Sequence, residues 1–504
     1  MVDCGAGISI YDALGQAPDF KGINPDILHI LLTHGHRDHI TGLLKMFKYC
    51  GHKGIPVHGS PFTIGVWKNI LRELYFSSES GKEMNYNELA RSMGFSNSQV
   101  HQLIVLWKQL APKEEYFDDL INGSRKPNGC ETEEQQWAFY FLEKMRDLYK
   151  RLNQWEYIEE PKSSIPVFGN GFFEAGAIDL SGCHSIHQPL GYWVKMDGKL
   201  FVHLGDLKCL PVGWQPPYEW QGKKPDVLFL DSTGAFEKGH SPDETTLNDL
   251  LYEKDNPSKL INRANFADNK RLIIVLFSTN IPRILNIIDM AHHCSRSVGV
   301  VGRSLNQMMK LAQKVEEESR GKYGDILKTA WDGVNWGSSR EDVVITTGTQ
   351  GEPGSGLYKL VAGRGEHSLQ EGDIIIVSAR ELPGTHINEV LRQAKDDFGD
   401  LIYILRDCRA NDENSFCEER VDKDGNTYKD IDDYGPSGHA YREDLEDMIR
   451  MINPRFVFPI HGDLDRRKAL RSLANSMKID ALGVPKIDDP KEVEKFNKPM
   501  IIEL

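Results

Sequence analysis

Short apolar runs alternate with stretches of helical periodicity through the second half of the chain, and this alternation is the feature that most restricts its fold. The predicted strands cover residues 271–277, 342–346, 373–377 and 401–405. Helical spacing follows Pro282 and returns near residues 388–395. Strands that alternate with helices pair in parallel through crossover connections, so the pattern predicts an α/β unit built on a parallel sheet.

The bulk composition predicts a globular protein. The chain has 504 residues, of which 40% are hydrophobic and 27% are charged. We expect no membrane span and no secretory signal, because no run of about 18 apolar residues occurs and residues 1–5 lack a basic segment followed by an apolar one. The eight cysteines form no CxxC pair, which favours reduced thiols and a cytoplasmic location. Any metal would therefore be bound by histidine and carboxylate.

The net charge of −14 argues against a broadly basic surface that binds nucleic acid. It does not exclude a nuclease, because metal ions and a few local arginines can contact the phosphate. Charge by itself therefore leaves the substrate class open.

A histidine cluster follows the first predicted strand, at residues 26–32. Its sequence is Thr33-His34-Gly35-His36-Arg37-Asp38-His39, which brings three imidazoles and one carboxylate within six positions. Imidazole and carboxylate without thiolate suit zinc or manganese. The alternative is a histidine-rich surface loop, which a buried strand directly before the cluster disfavours.

Three more candidate ligands lie elsewhere in the chain. His184, Asp206 and His461 each stand next to a glycine or at the end of an apolar run. A carboxylate such as Asp206 has two oxygens and could bridge two metal ions about 3.5–4 Å apart. Each residue alone is more typical of a structural role, and the histidine cluster is what favours ligation.

Four segments of the chain resemble the metallo-β-lactamase superfamily. They are Val2-Asp3-Cys4-Gly5, the histidine cluster, Cys183-His184-Ser185-Ile186 and Gly205-Asp206-Leu207-Lys208. Further segments resemble the β-CASP nucleases, and most closely the ribonuclease J family. They are Asp231-Ser232-Thr233, Phe277-Ser278-Thr279-Asn280-Ile281, Thr347-Gly348-Thr349-Gln350-Gly351-Glu352-Pro353, Pro383-Gly384 and Ser437-Gly438-His439-Ala440. The resemblance covers most of residues 1–60 and 180–470.

The resemblance implies an α/β fold, with a metallo-β-lactamase αββα sandwich, an inserted β-CASP α/β domain and an additional helical insertion. The implied domains are residues 1–60, 166–236 and 441–504 for the metallo-β-lactamase domain, 61–165 for the helical insertion and 237–440 for the β-CASP domain. An acidic, turn-rich segment at residues 408–436 predicts a surface loop.

The resemblance also implies the roles of individual residues. One metal would be bound by His34, His36 and His184, the other by Asp38, His39 and His461, with Asp206 bridging both. The implied catalytic residues are Asp38, Asp206, Asp231 and His439. The implied substrate contacts are Ser278, Arg283, Thr347, Gly348, Gln350, His386 and Ser437. Closely spaced backbone N–H groups in the glycine-rich run at residues 346–356 would hold a 5′-phosphate.

The chain departs from the pattern of the family in four places. Only Met1 and Val2 precede Asp3, so a sheet edge would be missing or the true start would lie upstream. Gly435 stands where ribonuclease J commonly has a histidine. The interval between His39 and His184 is longer than the family needs. About 40 residues follow His461, so we expect no separate C-terminal domain of the kind often involved in dimerisation.

The extra interval contains a candidate helix-turn-helix at residues 87–110, with Gly94 at the turn. The predicted second helix begins at Ser98 and carries only Lys108 as a firm positive charge. We therefore expect a packed helical hairpin that covers the cleft or contacts a protein partner, in preference to a DNA reader.

The sequence predicts a metal-dependent nuclease with two Zn²⁺ ions, or Mn²⁺ in their place. The leading hypothesis is cleavage of single-stranded RNA, by endonuclease and 5′-to-3′ exonuclease action, through a water activated by both metals. Two alternatives stay open. One is a β-CASP nuclease that acts on DNA in repair or defence, and the other is a weakly active scaffold subunit of a nucleic-acid-processing complex.

Overall fold

The structure is a computed structural model, and it describes residues 1–3, 29–43, 57–76, 173–242, 251, 271–319, 333–363, 368–370, 372–379, 386–398, 403–406, 420–421, 427–428 and 437–483. The chain divides into two compact units. Unit 1 contains residues 1–179 and 188–194, and unit 2 contains residues 180–187 and 195–504.

Unit 1 contains short parallel strands at the amino end of the chain. Its elements are β1 (Ile30–Leu31), α1 (Arg37–Ile40), β2 (Val57–His58), α2 (Pro61–Phe76), β3 (Phe173–Asp179) and the first five residues of β4 (Leu190–Met196). Strand β1 pairs in parallel with β2, and Val2 forms a parallel bridge to Leu31. The predicted strand before the histidine cluster is confirmed in its last residues.

The core of unit 1 fixes the strand end from which the histidine cluster leaves. Leu31 packs with buried side chains of β3 and β4, among them Ala175 and Tyr192. The hydroxyl of Tyr192 donates to the carbonyl of Leu32 at 3.0 Å, and the carbonyl of Thr33 accepts from the amide of Leu190 at 2.7 Å. Buried backbone groups require such partners, so the chain is held up to the first residue of the cluster.

Unit 2 contains the remaining helices and strands. They are β5 (Lys199–His203), β6 (Val227–Asp231), β7 (Leu272–Val275), α3 (Ile281–His293), β8 (Val298–Val301), α4 (Arg303–Ser319), β9 (Val334–Trp336), β10 (Val343–Thr346), α5 (Gly356–Val361), β11 (Ile374–Val377), α6 (Ile387–Phe398), β12 (Tyr403–Arg406), β13 (Arg420–Val421), β14 (Thr427–Tyr428), α7 (Arg442–Ile452), β15 (Phe456–Ile460), α8 (Leu464–Ser476) and β16 (Asp480–Ala481).

Four parallel strands of unit 2 lie in the order β16, β15, β6 and β5. The register pairs Phe456 with Val227 and Ile460 with Asp231. Because neighbouring parallel strands run in one direction, Asp231 and the residue after Ile460 reach the same edge of the sheet. This register brings the carboxyl ends of β6 and β15 together.

A second sheet of six strands has the order β12, β11, β7, β10, β8 and β9, and all of its pairs are parallel. The central strands are continuously apolar and buried, as expected for a sheet covered on both faces. Helices α5 and α6 supply Leu357, Leu360 and Leu391 to the core on one side. The parallel α/β unit predicted from the sequence alternation is confirmed.

The predicted strands and helices of this unit are confirmed with small shifts in their ends. Strands β8 and β9 and helices α4 and α5 lie between the predicted elements and were not predicted from the sequence. Other predictions lie outside the described residues. They concern the helix-turn-helix at 87–110, Pro383-Gly384, Gly435 and most of the segment 408–436.

The domain boundaries inferred from the resemblance stay predictions. Among the parts of the chain that the structure describes, no helix combines the length and the apolar character needed to cross a membrane.

Candidate metal centre

The histidine cluster of unit 1 runs from the loop after β1 into the four-residue helix α1. His34 is fully buried, His36 is the N-cap residue of α1, and Asp38 and His39 lie within this helix. Nε2 of His34 lies 3.0 Å from Nδ1 of His36, and the ring centroids of His34 and His39 lie 4.0 Å apart. The imidazoles of the cluster therefore lie close together within this unit.

Asp3 orients two of these histidines through a chain of hydrogen bonds. Its carboxylate accepts from the amide of Thr33 at 2.7 Å and from the hydroxyl of Thr33 at 2.8 Å, and it contacts Nδ1 of His39 at 2.8 Å. The hydroxyl of Thr33 also lies 2.9 Å from Nδ1 of His34. Because that hydroxyl gives its proton to Asp3, it accepts from Nδ1–H of His34, which leaves Nε2 of His34 as the ring nitrogen suited to bind a metal.

Unit 2 brings a second group together at the carboxyl ends of its strands. Asp206 follows β5, Asp231 ends β6 and His461 follows β15, while His439 precedes α7. One ligand atom from each of these four residues lies within 4.8 Å of all the others. Two carboxylates and two imidazoles at this spacing form a donor set that suits zinc.

Electrostatic coupling inside this group is strong. Nδ1 of His439 lies 2.6 Å from Oδ2 of Asp231 and 3.8 Å from Oδ2 of Asp206. Burial would lower the pKa of His439, but the charge and hydrogen bond of Asp231 outweigh it and the pKa is raised. Burial would raise the pKa of Asp231, but the charge and hydrogen bond of His439 together with the charge of His461 outweigh it, so that pKa is lowered. The carboxylates thus create a strongly negative position that favours a cation.

Thr233 connects two members of the group. Its hydroxyl lies 2.7 Å from Oδ1 of Asp231 and 2.7 Å from Nδ1 of His461. His461 itself has a positive φ of 54°, an uncommon conformation for a residue other than glycine. A non-glycine residue held there costs free energy, and such strain occurs often where a side chain is positioned for function.

His184 is held by the loop that carries His439. Its Nδ1 donates to the carbonyl of Gly438 at 2.6 Å, so Nε2 is the nitrogen suited to bind a metal. A Cβ atom at Gly438 would lie 2.7 Å from Cε1 of His184 and 2.5 Å from the hydroxyl of Ser185. Glycine therefore allows this loop to approach the imidazole closely.

The predicted phosphate-binding residues lie at the carboxyl edge of the second sheet of unit 2. Ser278 follows β7, whereas Thr347, Gly348 and Gln350 follow the neighbouring strand β10. Gly348 has a φ of 120°, which only glycine adopts readily. Ligands of open α/β sheets bind at this edge, so the placement suits the predicted role.

The other three predicted substrate contacts form hydrogen bonds within the protein. Arg283 is only 3% exposed, and its guanidinium donates to the carbonyl of Ser378 at 2.9 Å. His386 is exposed, and its amide donates to the carbonyl of Gln350 at 3.0 Å. The hydroxyl of Ser437 accepts from the amide of His439 at 3.1 Å.

The sequence analysis missed the orienting roles of two threonines. Thr33 opens the histidine cluster and Thr233 closes the motif that begins at Asp231. Each stands two residues after the end of a strand and within two residues of a candidate site residue, His34 or Asp231, which is the signal that could have identified them. Hydroxyl groups at such positions commonly fix the tautomer of a ligating imidazole.

Comparison with known proteins gives two family matches. Residues 269–393 match the family model described as "Ribonuclease J, beta-CASP domain". Residues 429–484 match "Zn-dependent metallo-hydrolase RNA specificity domain". The first match includes Ser278 and Thr347, and the second includes His439 and His461.

Similar proteins carry the name ribonuclease J. The protein from Mycobacterium tuberculosis (strain CDC 1551 / Oshkosh) is 30% identical over 502 residues, which cover 96% of this chain and 67% of that protein. The protein from Mycolicibacterium smegmatis is 26% identical over 507 residues, which cover 96% of this chain and 67% of that protein. The protein from Helicobacter pylori (strain ATCC 700392 / 26695) is 25% identical over 333 residues, which cover 62% of this chain and 41% of that protein.

These matches agree with the fold. The parallel sheets and the two family matches confirm the predicted metallo-β-lactamase fold with a β-CASP domain. The chain belongs to the ribonuclease J family.

Proposed function

We propose that the protein is a metal-dependent phosphodiesterase that cleaves RNA. The observation that carries the proposal is the group of Asp206, Asp231, His439 and His461, whose ligand atoms lie within 4.8 Å of one another at the carboxyl ends of parallel strands. The membership of the chain in the ribonuclease J family supports a phosphodiester substrate.

The donor set fits zinc, with Mn²⁺ as the alternative. Nitrogen and oxygen ligands without thiolate suit both ions, and the negative charge around Asp206 favours a divalent cation. We propose two ions. The proposed ligands are His34, His36, Asp38, His39, His184, Asp206 and His461. When bound, such ions lower the pKa of water and offset charge on a reacting phosphate.

The protein residues would orient the reactants and move protons. Asp38 and Asp206 would orient the attacking water and accept its proton. Because Nδ1 of His439 is held by Asp231 at 2.6 Å, Nε2 is the atom of His439 that would donate to the leaving oxygen. Asp231 would act by fixing the orientation of this imidazole.

The loops after β7 and β10 would bind the phosphate of the RNA. Ser278, Thr347 and Gln350 would supply side-chain donors, and Gly348 would let the backbone approach the phosphate. His386 and Ser437 would contact the strand. Arg283 would stabilise the phosphate-binding loops and not contact the phosphate itself, because its guanidinium donates to Ser378 at the end of β11. A pocket for a 5′-monophosphate would allow 5′-to-3′ trimming besides internal cleavage.

We further propose a cytoplasmic location, which the absence of any CxxC pair from the sequence favours. We also propose that the segment 61–165 binds a protein partner.

The test compares 5′-phosphorylated RNA with single-stranded DNA of the same sequence in the presence of Zn²⁺ or Mn²⁺. We expect cleavage of RNA by the intact chain and loss of at least about a thousandfold in rate for the double variant Asp38→Ala/His39→Ala. The matched control is Asp289→Ala/His293→Ala, which removes an exposed Asp and His from α3. It should cleave at the rate of the intact chain.

Three outcomes would contradict parts of the proposal. Metal-dependent activity that survives the Asp38→Ala/His39→Ala change would reject the ligand assignment. Cleavage of DNA alone would favour a nuclease of repair or defence. A chain that contains metal and cleaves neither polymer would favour a scaffold subunit.

A further inference from the structure

An exposed loop of unit 2, residues 211–225, presents aromatic and basic side chains to solvent. Tyr218 is 90% exposed and Val212 is fully exposed, while Trp214 is half-buried. Large aromatic side chains are normally buried in part, so a tyrosine that stands almost entirely in solvent is unusual. We call residues 211–225 the aromatic–basic loop.

The aromatic–basic loop is held in one conformation by a buried anchor. Trp220 is only 1% exposed, and its ring meets that of Trp214 edge to face at a centroid distance of 6.0 Å. Turn hydrogen bonds join Gln221 to Tyr218 at 2.9 Å and Lys223 to Trp220 at 2.9 Å. Tyr218 is thus displayed on a short 3₁₀ helix whose other end is fixed in the core.

Positive charge accompanies the exposed ring. Lys223 and Lys224 follow the turn, and both are exposed. Among the residues that the structure describes, no carboxylate lies within ion-pair distance of either ammonium group. Arg455 lies beside the end of the loop, because its amide donates to the carbonyl of Pro225 at 2.8 Å, but its guanidinium lies 3.9 Å from Oδ1 of Asp226, which offsets its charge. The loop contains these two lysines and one acid, Glu219, so its own net charge is +1 on a chain with a net charge of −14.

The end of the loop that carries Lys223 and Lys224 lies at the opposite sheet edge from the candidate catalytic residues. Pro225 is two residues before β6 and Arg455 comes directly before β15, at the amino ends of these strands. Asp231 and His461 lie at their carboxyl ends. A strand of five residues spans roughly 15 Å, so the loop is separated from the metal-ligand candidates by about this length.

The chemistry of the loop favours a nucleic acid over a protein as its occupant. The exposed apolar surface consists of one tyrosine, one valine and part of a tryptophan, whereas a stable protein interface buries about 800 Å² on each partner. An aromatic ring beside two ammonium groups suits a base stacked on the ring with its neighbouring phosphates paired to the lysines. This pairing needs only a small area.

We propose that the aromatic–basic loop is a second contact site for single-stranded RNA, on which a base stacks against Tyr218 and phosphates pair with Lys223 and Lys224. The inference rests on the proposed function, because it concerns the path of the same substrate. The site would hold RNA that extends beyond the catalytic residues, and it would thereby favour long strands over short ones.

The experiment measures binding of a fluorescent oligouridylate of about 20 nucleotides to the full-length chain by anisotropy, with a chelator present to prevent cleavage. We expect Tyr218→Ala to weaken binding roughly tenfold, within the range of one stacked base. Tyr218→Phe keeps the ring and should bind as the unchanged protein does. Lys223→Gln/Lys224→Gln should reduce the slope of log K against log salt by about 1.4, the effect of two lost phosphate contacts on a single strand.

Two matched controls separate this site from the catalytic residues. Lys310→Gln/Lys314→Gln removes two exposed lysines of α4 and should leave the salt slope unchanged. Cleavage of a 5′-phosphorylated dinucleotide should have the same kcat/KM in the Tyr218→Ala variant, because so short a strand cannot reach the loop. Tyr218 is exposed, so its replacement should leave the thermal unfolding midpoint in place.

The results distinguish failure of this site from failure of the proposed function. If the unchanged protein cleaves RNA and Tyr218→Ala binds the long oligomer equally well, the second site is rejected and a role in protein docking becomes the better explanation. If the unchanged protein neither binds nor cleaves RNA, both proposals are rejected. Equal weakening by Tyr218→Phe and Tyr218→Ala would reject stacking as the mode of contact.

Discussion

The hydroxyl of Thr233 lies 2.7 Å from Nδ1 of His461. The same hydroxyl lies 2.7 Å from Oδ1 of Asp231, a carboxylate that can only accept when ionised. The single hydroxyl proton therefore goes to Asp231, and the oxygen accepts from Nδ1–H of His461. Nε2 of His461 is left as the basic nitrogen, and it lies 3.6 Å from Oδ2 of Asp206. One threonine thus fixes the tautomer that metal binding requires.

We predict that Thr233→Val weakens zinc binding by about 10- to 100-fold, because the valine fills the same volume and removes the contact that orients His461. Thr233→Ser keeps the hydroxyl and should retain the affinity of the unchanged protein. Competition with a chromophoric chelator measures both variants. Equal zinc affinity in Thr233→Val would show that the hydrogen bond does not orient the ligand.

The carboxylate of Asp3 should be needed for the histidine cluster in the same way. Asp3→Asn leaves one acceptor oxygen where the carboxylate has two, so it cannot serve the amide and hydroxyl of Thr33 together with His39. We expect zinc affinity to fall by about 10- to 100-fold. Asp179→Asn, at the exposed end of β3, is the matched control and should bind zinc normally. Unchanged affinity in Asp3→Asn would argue against the orienting role.

A buried ion pair should contribute to the stability of the second sheet of unit 2. Arg271 donates to Asp373 at 2.9 Å, and the two residues are 4% and 0% exposed. Arg271→Met leaves a buried carboxylate without its cation, which costs about 3–5 kcal/mol of unfolding free energy. The double variant Arg271→Met/Asp373→Leu should recover most of this loss, because it removes the buried charge as well.

Urea unfolding of the full chain measures these differences. Arg450→Met removes an exposed arginine that is paired with Glu446 and should cost less than about 1 kcal/mol. If the double variant were as unstable as Arg271→Met, the lost stability would not come from the unpaired charge of Asp373. The contacts of the ion pair would then stabilise the fold themselves.

Stability should fall at mildly acidic pH because of His58. Burial first, and the neighbouring charge of His29 second, lower the pKa of His58 to about 4. In the unfolded chain the pKa is about 6.5, so the unfolded state binds more protons between these two values. Stability is therefore complete above about pH 6.5 and falls as the pH drops towards 4, by at most about 3 kcal/mol from this residue.

The unfolding midpoint at about pH 7.5 and about pH 4.5 tests this expectation, with a chelator present at both values. His58→Gln should reduce the difference between the two midpoints, because glutamine does not titrate. His293→Gln, an exposed replacement in α3, should keep the difference found for the unchanged protein. The same pH dependence in His58→Gln would exclude His58 as its source.

The alternating strands and helices could be predicted from the sequence because hydrophobic periodicity is a local property. The prediction of β7, β10 and β11 succeeded because each is a continuous buried run bounded by polar residues. Strand β8 was missed because Gly299 interrupts its short apolar run, and a glycine inside a strand weakens the strand signal. The histidine cluster was recognised because its ligand candidates lie within six positions.

Hydrogen-bond partners that are far apart in the chain could be identified only from the tertiary structure. Thr233 and His461 are 228 positions apart, and they meet because the register of β6 and β15 pairs Asp231 with Ile460. Arg283 was predicted from the sequence as a substrate contact, and only the packing of α3 shows that it is buried and donates to Ser378. The local sequence indicates which side chains could bind a metal. The fold decided which nitrogen of His461 is left for that task, because a tautomer depends on hydrogen-bond partners that no local pattern specifies.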